Sequence, residues 1–156
     1  MRRKPRLAIL AARPGDSEFR QLEPLVKKCG VMVMTILSEF LLFEVLPRES
    51  LRPSVIIASS TFPDEALPQT IRRIKQIDGT IPLVVATAEN ADEMERQVRC
   101  AGIFYFMMLP AHSEEVQQVT LSALRLNHGT TSHKVPRQDR AAYERRTWGR
   151  GMPRKQ

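Results

Sequence analysis

The sequence predicts a doubly wound α/β domain: a five-stranded parallel sheet, built from five βα units, in a three-layer sandwich with helices on both faces. Three observations predict it. Short apolar runs of strand length recur five times between Arg6 and Asn127, and helix-period segments separate them. The runs are nearly continuous rather than alternating, as strands buried on both faces must be, and parallel strands need crossover connections that helices supply. The length, 156 residues, suits one core and needs no disulfide or metal to support it.

The first strand is "LAILAA", Leu7 to Ala12, followed by "RPGDSEF", where Asp16 or Ser17 can cap a helix and Glu18 falls in its first turn. Phe19, Leu22, Val26 and Cys29 form one apolar stripe, and Gly30 ends the helix. Pro24 lies off the stripe and is expected to kink the helix outward. "VMVMTIL", Val31 to Leu37, is the second strand, with a short helix over "SEFLLFEVL", Ser38 to Leu46.

"PSVIIAS" is the third strand. The next helix begins near Leu67 and Pro68, with proline in the tolerated first turn. Leu67, Ile71, Ile74 and Ile77 or its neighbours are expected to face inward, and "DGT" turns the chain. "IPLVVATA", Ile81 to Ala88, is the fourth strand, and "NADEMERQVRCAG" is a helix with Asn90 as cap and Gly102 as terminator. "IFYFMML", Ile103 to Leu109, is the fifth strand. The last helix follows Pro110, is capped by Ser113, carries Glu114 and Glu115 against the dipole at its amino end, and runs to about Asn127.

The net charge of +7 belongs to the ends of the chain. Met1 to Arg6 holds four basic residues and no acid; His128 to Gln156 holds eight basic residues against Asp139 and Glu144, which leaves the body slightly acidic. The expected organisation is a basic extension over 1–5, one domain over 6–127 and a basic tail over 128–156. The tail is poor in aliphatic residues and is expected to be disordered. The apolar run after the basic start ends at Arg13, too short for an export segment, and no stretch approaches the roughly 18 apolar residues of a membrane span. A cytoplasmic protein without membrane attachment is expected. Cys29 and Cys100 have neither zinc nor redox spacing and are expected to be small buried hydrophobes.

In doubly wound folds, sites form at the carboxyl ends of the strands. Those ends are Ala11 to Gly15, Ser59 to Phe62, Thr87 to Glu89 and Leu109 to His112. Ser59, Ser60, Thr61, Thr87 and His112 could gather there, but there is no "GxSxG" elbow and no evident carboxylate partner for a hydrolase. "RPGDS" has one glycine and lacks the spacing of dinucleotide and phosphate loops. No catalytic, metal or cofactor site is expected, and the protein is read as not an enzyme.

Three local details give the chain a family resemblance. "PSVIIASSTFP" ends a buried strand and reaches Pro63 four residues after Ser59; "IPLVVATA" ends in the hydroxyl of Thr87; "CAGIFYFMMLPA" runs from an alanine-glycine pair through an aromatic residue to Leu109 and Pro110. In this order and spacing they resemble the CheY-like receiver domain of bacterial response regulators, with its flavodoxin-like (βα)5 sandwich, over Arg6 to Asn127. The family transfers a phosphoryl group to an aspartate, beside a divalent metal held by an acidic pair, with a lysine to neutralise the phosphoryl oxygens. The resemblance puts Ser59 at the acceptor position, Ala11 and Ala12 at the acidic pair and Leu109 at the lysine. It implies a degenerate receiver, a pseudo-receiver; Asp16 and Asp64 could approach this edge from their loops, but capping and turn roles explain them more simply.

Thr87 and Phe106 fall where receivers couple phosphorylation to rotation of a ring, so the resemblance implies a surviving switch-like face that includes Tyr105, Phe106 and Met107; ordinary packing explains these residues equally well. The helix over "FLLFEVL" is apolar around nearly its full circumference. Phe40, Leu41 and Phe43 therefore suggest a patch covered by a protein partner, by a second copy of the chain, or by neighbouring loops. The expected function is a phosphorylation-independent signalling and protein-interaction module. The alternative is a nucleic-acid-associated regulator contacting DNA or RNA through its tails, with Arg145, Arg146, Trp148 and Arg150 as contacts.

Overall fold

Five parallel strands, Leu7–Ala11 (β1), Met32–Ile36 (β2), Val55–Ser59 (β3), Leu83–Thr87 (β4) and Tyr105–Met108 (β5), form one sheet in the order β2-β1-β3-β4-β5. The computed structural model describes residues 6–63, 66–89 and 92–126. The helices are Ser17–Arg20 (α1), Leu22–Lys27 (α2), Glu39–Val45 (α3), Leu67–Ile77 (α4), Asp92–Ala101 (α5) and Ser113–Leu126 (α6), and a 3-10 turn spans Glu49–Leu51. The expected fold class and strand order of appearance are both found. Asn90, Asp64, Glu65, the ends 1–5 and 127–156, and with them Arg145, Arg146, Trp148 and Arg150, lie outside the described residues.

Alternation along each strand divides the core in two. Ala8, Leu10, Val55, Ile57, Val84 and Met107 pack with Phe19, Val26 and Val116 on the side of α1, α2 and α6. Ile9, Ile56, Val85 and Phe106 pack with Leu42, Ile71, Ile74 and Val98 on the side of α3, α4 and α5. β3 and β4 are buried along their whole length, which accounts for their unbroken apolar runs.

Several local expectations change. Pro24 does not kink one helix but divides it: α1 ends at Arg20 and α2 restarts at Leu22. The reason is steric, since a proline ring in a helix meets the carbonyl four residues back, and that residue is Arg20. A cleft of about 310 Å³ nearby is lined by Leu10, Ala12 and Phe19, by Thr35 and Leu37, and by Arg20 and Glu23. Ile77 is 40% exposed rather than inward. Ser113 is the first residue of α6, and the first helical bond runs from the Val116 N–H to the His112 carbonyl. Cys29 is half-buried and Cys100 exposed, both free. Cys100 sits two residues from Val98, the buried residue of α5, and two helical steps turn a side chain to the opposite face.

Other ends behave as the sequence requires. The Ser38 hydroxyl caps α3 by accepting from the Leu41 N–H at 3.2 Å. Gly102, at φ +100, ends α5 in a conformation that side chains rarely adopt. After α4, Asp78 accepts from the Thr80 hydroxyl and amide at 2.5 and 2.9 Å and pairs with Arg52 at 2.9 Å. Burial works against its charge, but the Thr80 hydrogen bonds and the Arg52 guanidinium prevail and hold its carboxyl below the ordinary value.

Candidate functional site

The carboxyl ends of β1, β3, β4 and β5 converge on one edge of the sheet. Ala11 and Ala12 end β1 with 0% and 1% exposure, Ser59 ends β3 at 2%, Thr87 ends β4 at 1%, and Leu109 follows β5 at 8%. Small side chains at β1 leave room above the strand. The loop from Arg13 to Asp16 turns into that room.

Asp16 performs two tasks with its two oxygens. Oδ1 accepts the Phe19 N–H at 3.2 Å and caps α1. Oδ2 accepts the Ser59 hydroxyl at 2.6 Å, and the Thr61 hydroxyl lies 3.1 Å from the same oxygen. Ser59 Oγ also receives the Thr61 N–H at 3.3 Å and stands 3.0 Å from Thr61 Oγ1. The capping role expected of Asp16 is found, and so is its approach to the strand-end edge, where the sequence alone makes no base beside Ser59 evident. The two residues are 43 positions apart, and a cap residue gives no local sign of a second partner.

A second hydroxyl pair lies next to the first. Ser60 Oγ donates to Thr87 Oγ1 at 2.8 Å, and Thr87 Oγ1 accepts the Glu89 N–H at 3.0 Å. The Arg13 guanidinium donates to the Pro63 carbonyl at 3.1 Å, a further tie between the β1–α1 and β3–α4 loops. These contacts explain why buried hydroxyls are tolerated at Ser59 and Thr87: each has a partner.

A carboxylate alone is a weak base for an alcohol, and efficient general-base catalysis wants a group titrating near the working pH. His112 is exposed and outside the network. The arrangement is therefore suited to holding loops together. A divalent cation, which the receiver resemblance implies, needs about six oxygen ligands with several carboxylates or waters. The residues present do not fit one: Ala11, Ala12 and Leu109 offer no side-chain donor, and both oxygens of Asp16 are engaged. Among the described residues, no group of three His, Cys, Asp or Glu is placed to hold a metal ion.

The other candidate residues separate into core and surface. Phe106, at 3% exposure, and Met107, at 0%, are core residues, so the expectation that both belong to a docking face is corrected. β5 has helices on both sides, and consecutive residues of a strand point into the two halves of the core. Tyr105 is half-buried and its hydroxyl donates to Glu115 Oε2 at 2.6 Å. Thr87 and Phe106 do not touch through any hydrogen bond, since the ring has none to give.

On α3, Leu42 is buried, while Phe40 is 74% and Leu41 50% exposed. Phe43 is half-buried beneath the Arg73 guanidinium, which lies 4.0 Å from the ring centroid. The expected apolar patch is thus present as Phe40 and Leu41, while Phe43 is engaged with α4. No helix among the described residues is long and apolar enough to cross a membrane.

No family model matches the chain. Over 83 residues it is 30% identical to the transcriptional regulatory protein PhoP of Escherichia coli and to the virulence transcriptional regulatory protein PhoP of Shigella flexneri. Each match covers 53% of this chain and 37% of the relative, so the chain spans little more than a third of the length of these curated relatives. Among solved structures, it is similar to the signal receiver domain of an HD domain-containing protein from Pseudomonas fluorescens, at 15% identity and a TM-score of 0.69, covering 82% of this chain and 100% of that one. A CheY-like receiver domain protein from Methanospirillum hungatei gives 11% identity and a TM-score of 0.68, over 81% of this chain and 98% of that one.

Proposed function

We propose that this chain, which carries the CheY-like receiver fold, is a non-enzymatic signalling module that binds a protein partner without phosphorylation or metal. One observation carries the reading: at the sheet edge where receiver chemistry takes place, the chain offers Ala11, Ala12, Ser59 and Leu109, and the carboxylate that reaches Ser59 among the described residues, Asp16, is committed to Phe19, Ser59 and Thr61. The receiver's acceptor aspartate, acidic pair and lysine correspond, on this reading, to Ser59, Ala11 with Ala12, and Leu109. Residues 6–127 form the working domain, with 1–5 and 128–156 as basic extensions.

The partner, a signalling component on this reading, is met by Phe40 and Leu41, because exposed aromatic and aliphatic groups on one helix favour burial by about 25 cal/mol per Å². The test is incubation of the full chain with a small phosphodonor and magnesium, followed by intact mass measurement. An unchanged mass is expected; a stable phosphoryl adduct on residues 6–127 overturns the reading.

A second reading rests on the basic ends. Eight basic residues between His128 and Gln156, interleaved with Tyr143 and Trp148, suit contact with DNA or RNA by charge neutralisation and stacking. On this reading affinity falls steeply with salt and disappears when 134–156 is deleted; salt-insensitive binding that survives the deletion removes it.

A further inference from the structure

β2 is an outer strand, and among the described residues it pairs with β1 alone. The Met32 N–H donates to the Arg6 carbonyl at 2.9 Å and the Ile36 carbonyl accepts from the Ala12 N–H at 3.1 Å, so the even residues turn their backbone groups inward. Strand geometry then sends the N–H and C=O groups of Val33 and Thr35 outward. Soluble proteins ordinarily guard such an edge with a charge, a proline or a bulge. From Val31 to Leu37 this chain has no charge and no proline, and its register against β1 is unbroken. Met32 is 57% exposed and Leu37 39%, Thr35 is exposed, and the cleft beside α1 adjoins the strand.

We propose that β2 pairs antiparallel with β2 of a second copy, about a twofold axis through Met34, to make a continuous ten-stranded sheet. The strand is its own complement in this register. Val33 of each copy exchanges both backbone bonds with Thr35 of the other, Met32 faces Ile36, Val31 faces Leu37, and Met34 faces itself. No cross-strand pair sets like charges together, and all but the threonine are apolar. Glu39, which follows the carboxyl end of β2, is paired with Arg73 at 3.9 Å within the chain, so the self-complementary register, rather than charge, selects the antiparallel arrangement. The inference is independent of whether the module signals.

Sedimentation velocity of the full chain over a wide concentration range, with Thr35→Pro and Thr35→Lys, tests it. The Thr35 N–H points away from β1, so proline there removes no bond of the chain's own sheet, and lysine places a charge on the edge. A monomer–dimer equilibrium is expected, with each variant raising the dissociation constant at least about tenfold. Hydrogen exchange on the unsubstituted chain gives a reading independent of variant folding: the Val33 and Thr35 amides gain protection as concentration rises. A chain that is monomeric throughout, a dimer indifferent to both substitutions, or protection at Val33 and Thr35 that does not vary with concentration overturns the proposal.

Discussion

The hydroxyl of Ser59, at the end of β3, donates to Asp16 Oδ2 at 2.6 Å, while Oδ1 of the same carboxylate caps α1. One side chain thus joins the first βα loop to the central strand. Asp16→Ala loses a cap, about 1 kcal/mol, and takes from the Ser59 hydroxyl its carboxylate acceptor, a further loss of about 1 kcal/mol because Thr61 Oγ1 stays within reach at 3.0 Å. A double-mutant cycle with Ser59→Ala, read by urea unfolding, is expected to give a coupling of about 1 kcal/mol. Additivity of the two losses contradicts the direct bond.

Phe40 and Leu42 are neighbours on α3 with opposite fates, 74% and 1% exposed. Phe40→Glu is expected to change stability by no more than about 0.5 kcal/mol, whereas Leu42→Ala loses about 2–5 kcal/mol through the cavity it leaves. Denaturant titration of both variants checks this; a large loss at Phe40 means that the ring is already covered within the chain, and the partner-binding patch is then withdrawn.

Acid stability depends in part on Asp78. Its folded pKa is lowered, so its contribution is fully present above the unfolded value of about 3.9 and is lost as pH falls through the folded value. Asp78→Asn is expected to lower stability at pH 7 and to flatten the decline below about pH 4. Urea midpoints at pH 7 and pH 3 measure both effects. Lys75 shifts in the same direction for a different reason and in a higher pH range: burial lowers its pKa, against the attraction of Asp78, so stability again rises as pH climbs through the folded value toward about 10.4.

The two thiols differ in reach. Burial pushes the Cys29 thiol up, and its Sγ lies 3.8 Å from the Leu25 carbonyl, whereas Cys100 is exposed. Alkylation at pH 8 is expected to modify Cys100 first and Cys29 at least about tenfold more slowly. Peptide mapping with time resolves the order, and equal rates contradict the burial of Cys29.

The outline of the fold was legible because the signals that set it are local. Continuous apolar runs mark β3 and β4, Ser38 and Gly102 mark helix ends, and each acts within a few residues of itself. The candidate site was legible only in its parts. Ser59 and Thr87 were found as strand-end hydroxyls, but the partner of Ser59 comes from a loop 43 residues away, where no periodicity or spacing points. Phe106 and Met107 read as surface residues in the sequence because the seven-residue apolar run from Ile103 to Leu109 does not say which edge strands are covered. β5 is covered on both faces and β2 is less so, with Met32 and Thr35 exposed, and that difference lies in the packing of helices rather than in the strands. Pro24 was read as a bend when its ring meets the carbonyl of Arg20 and ends the turn outright.

The division at Gln21 has a consequence for how the molecule breathes. A four-residue helix has almost no stability of its own, since nucleating one turn is unfavourable. α1 is held by the Phe19 ring below and the Asp16 carboxylate in front, so it opens or stays shut as one cooperative unit. When it opens, Ser59 loses its acceptor within the same event. Fraying at the start of the first helix is thereby tied to the middle of the sheet, and the exchange of the Phe19 amide reports on the order of the central strand end.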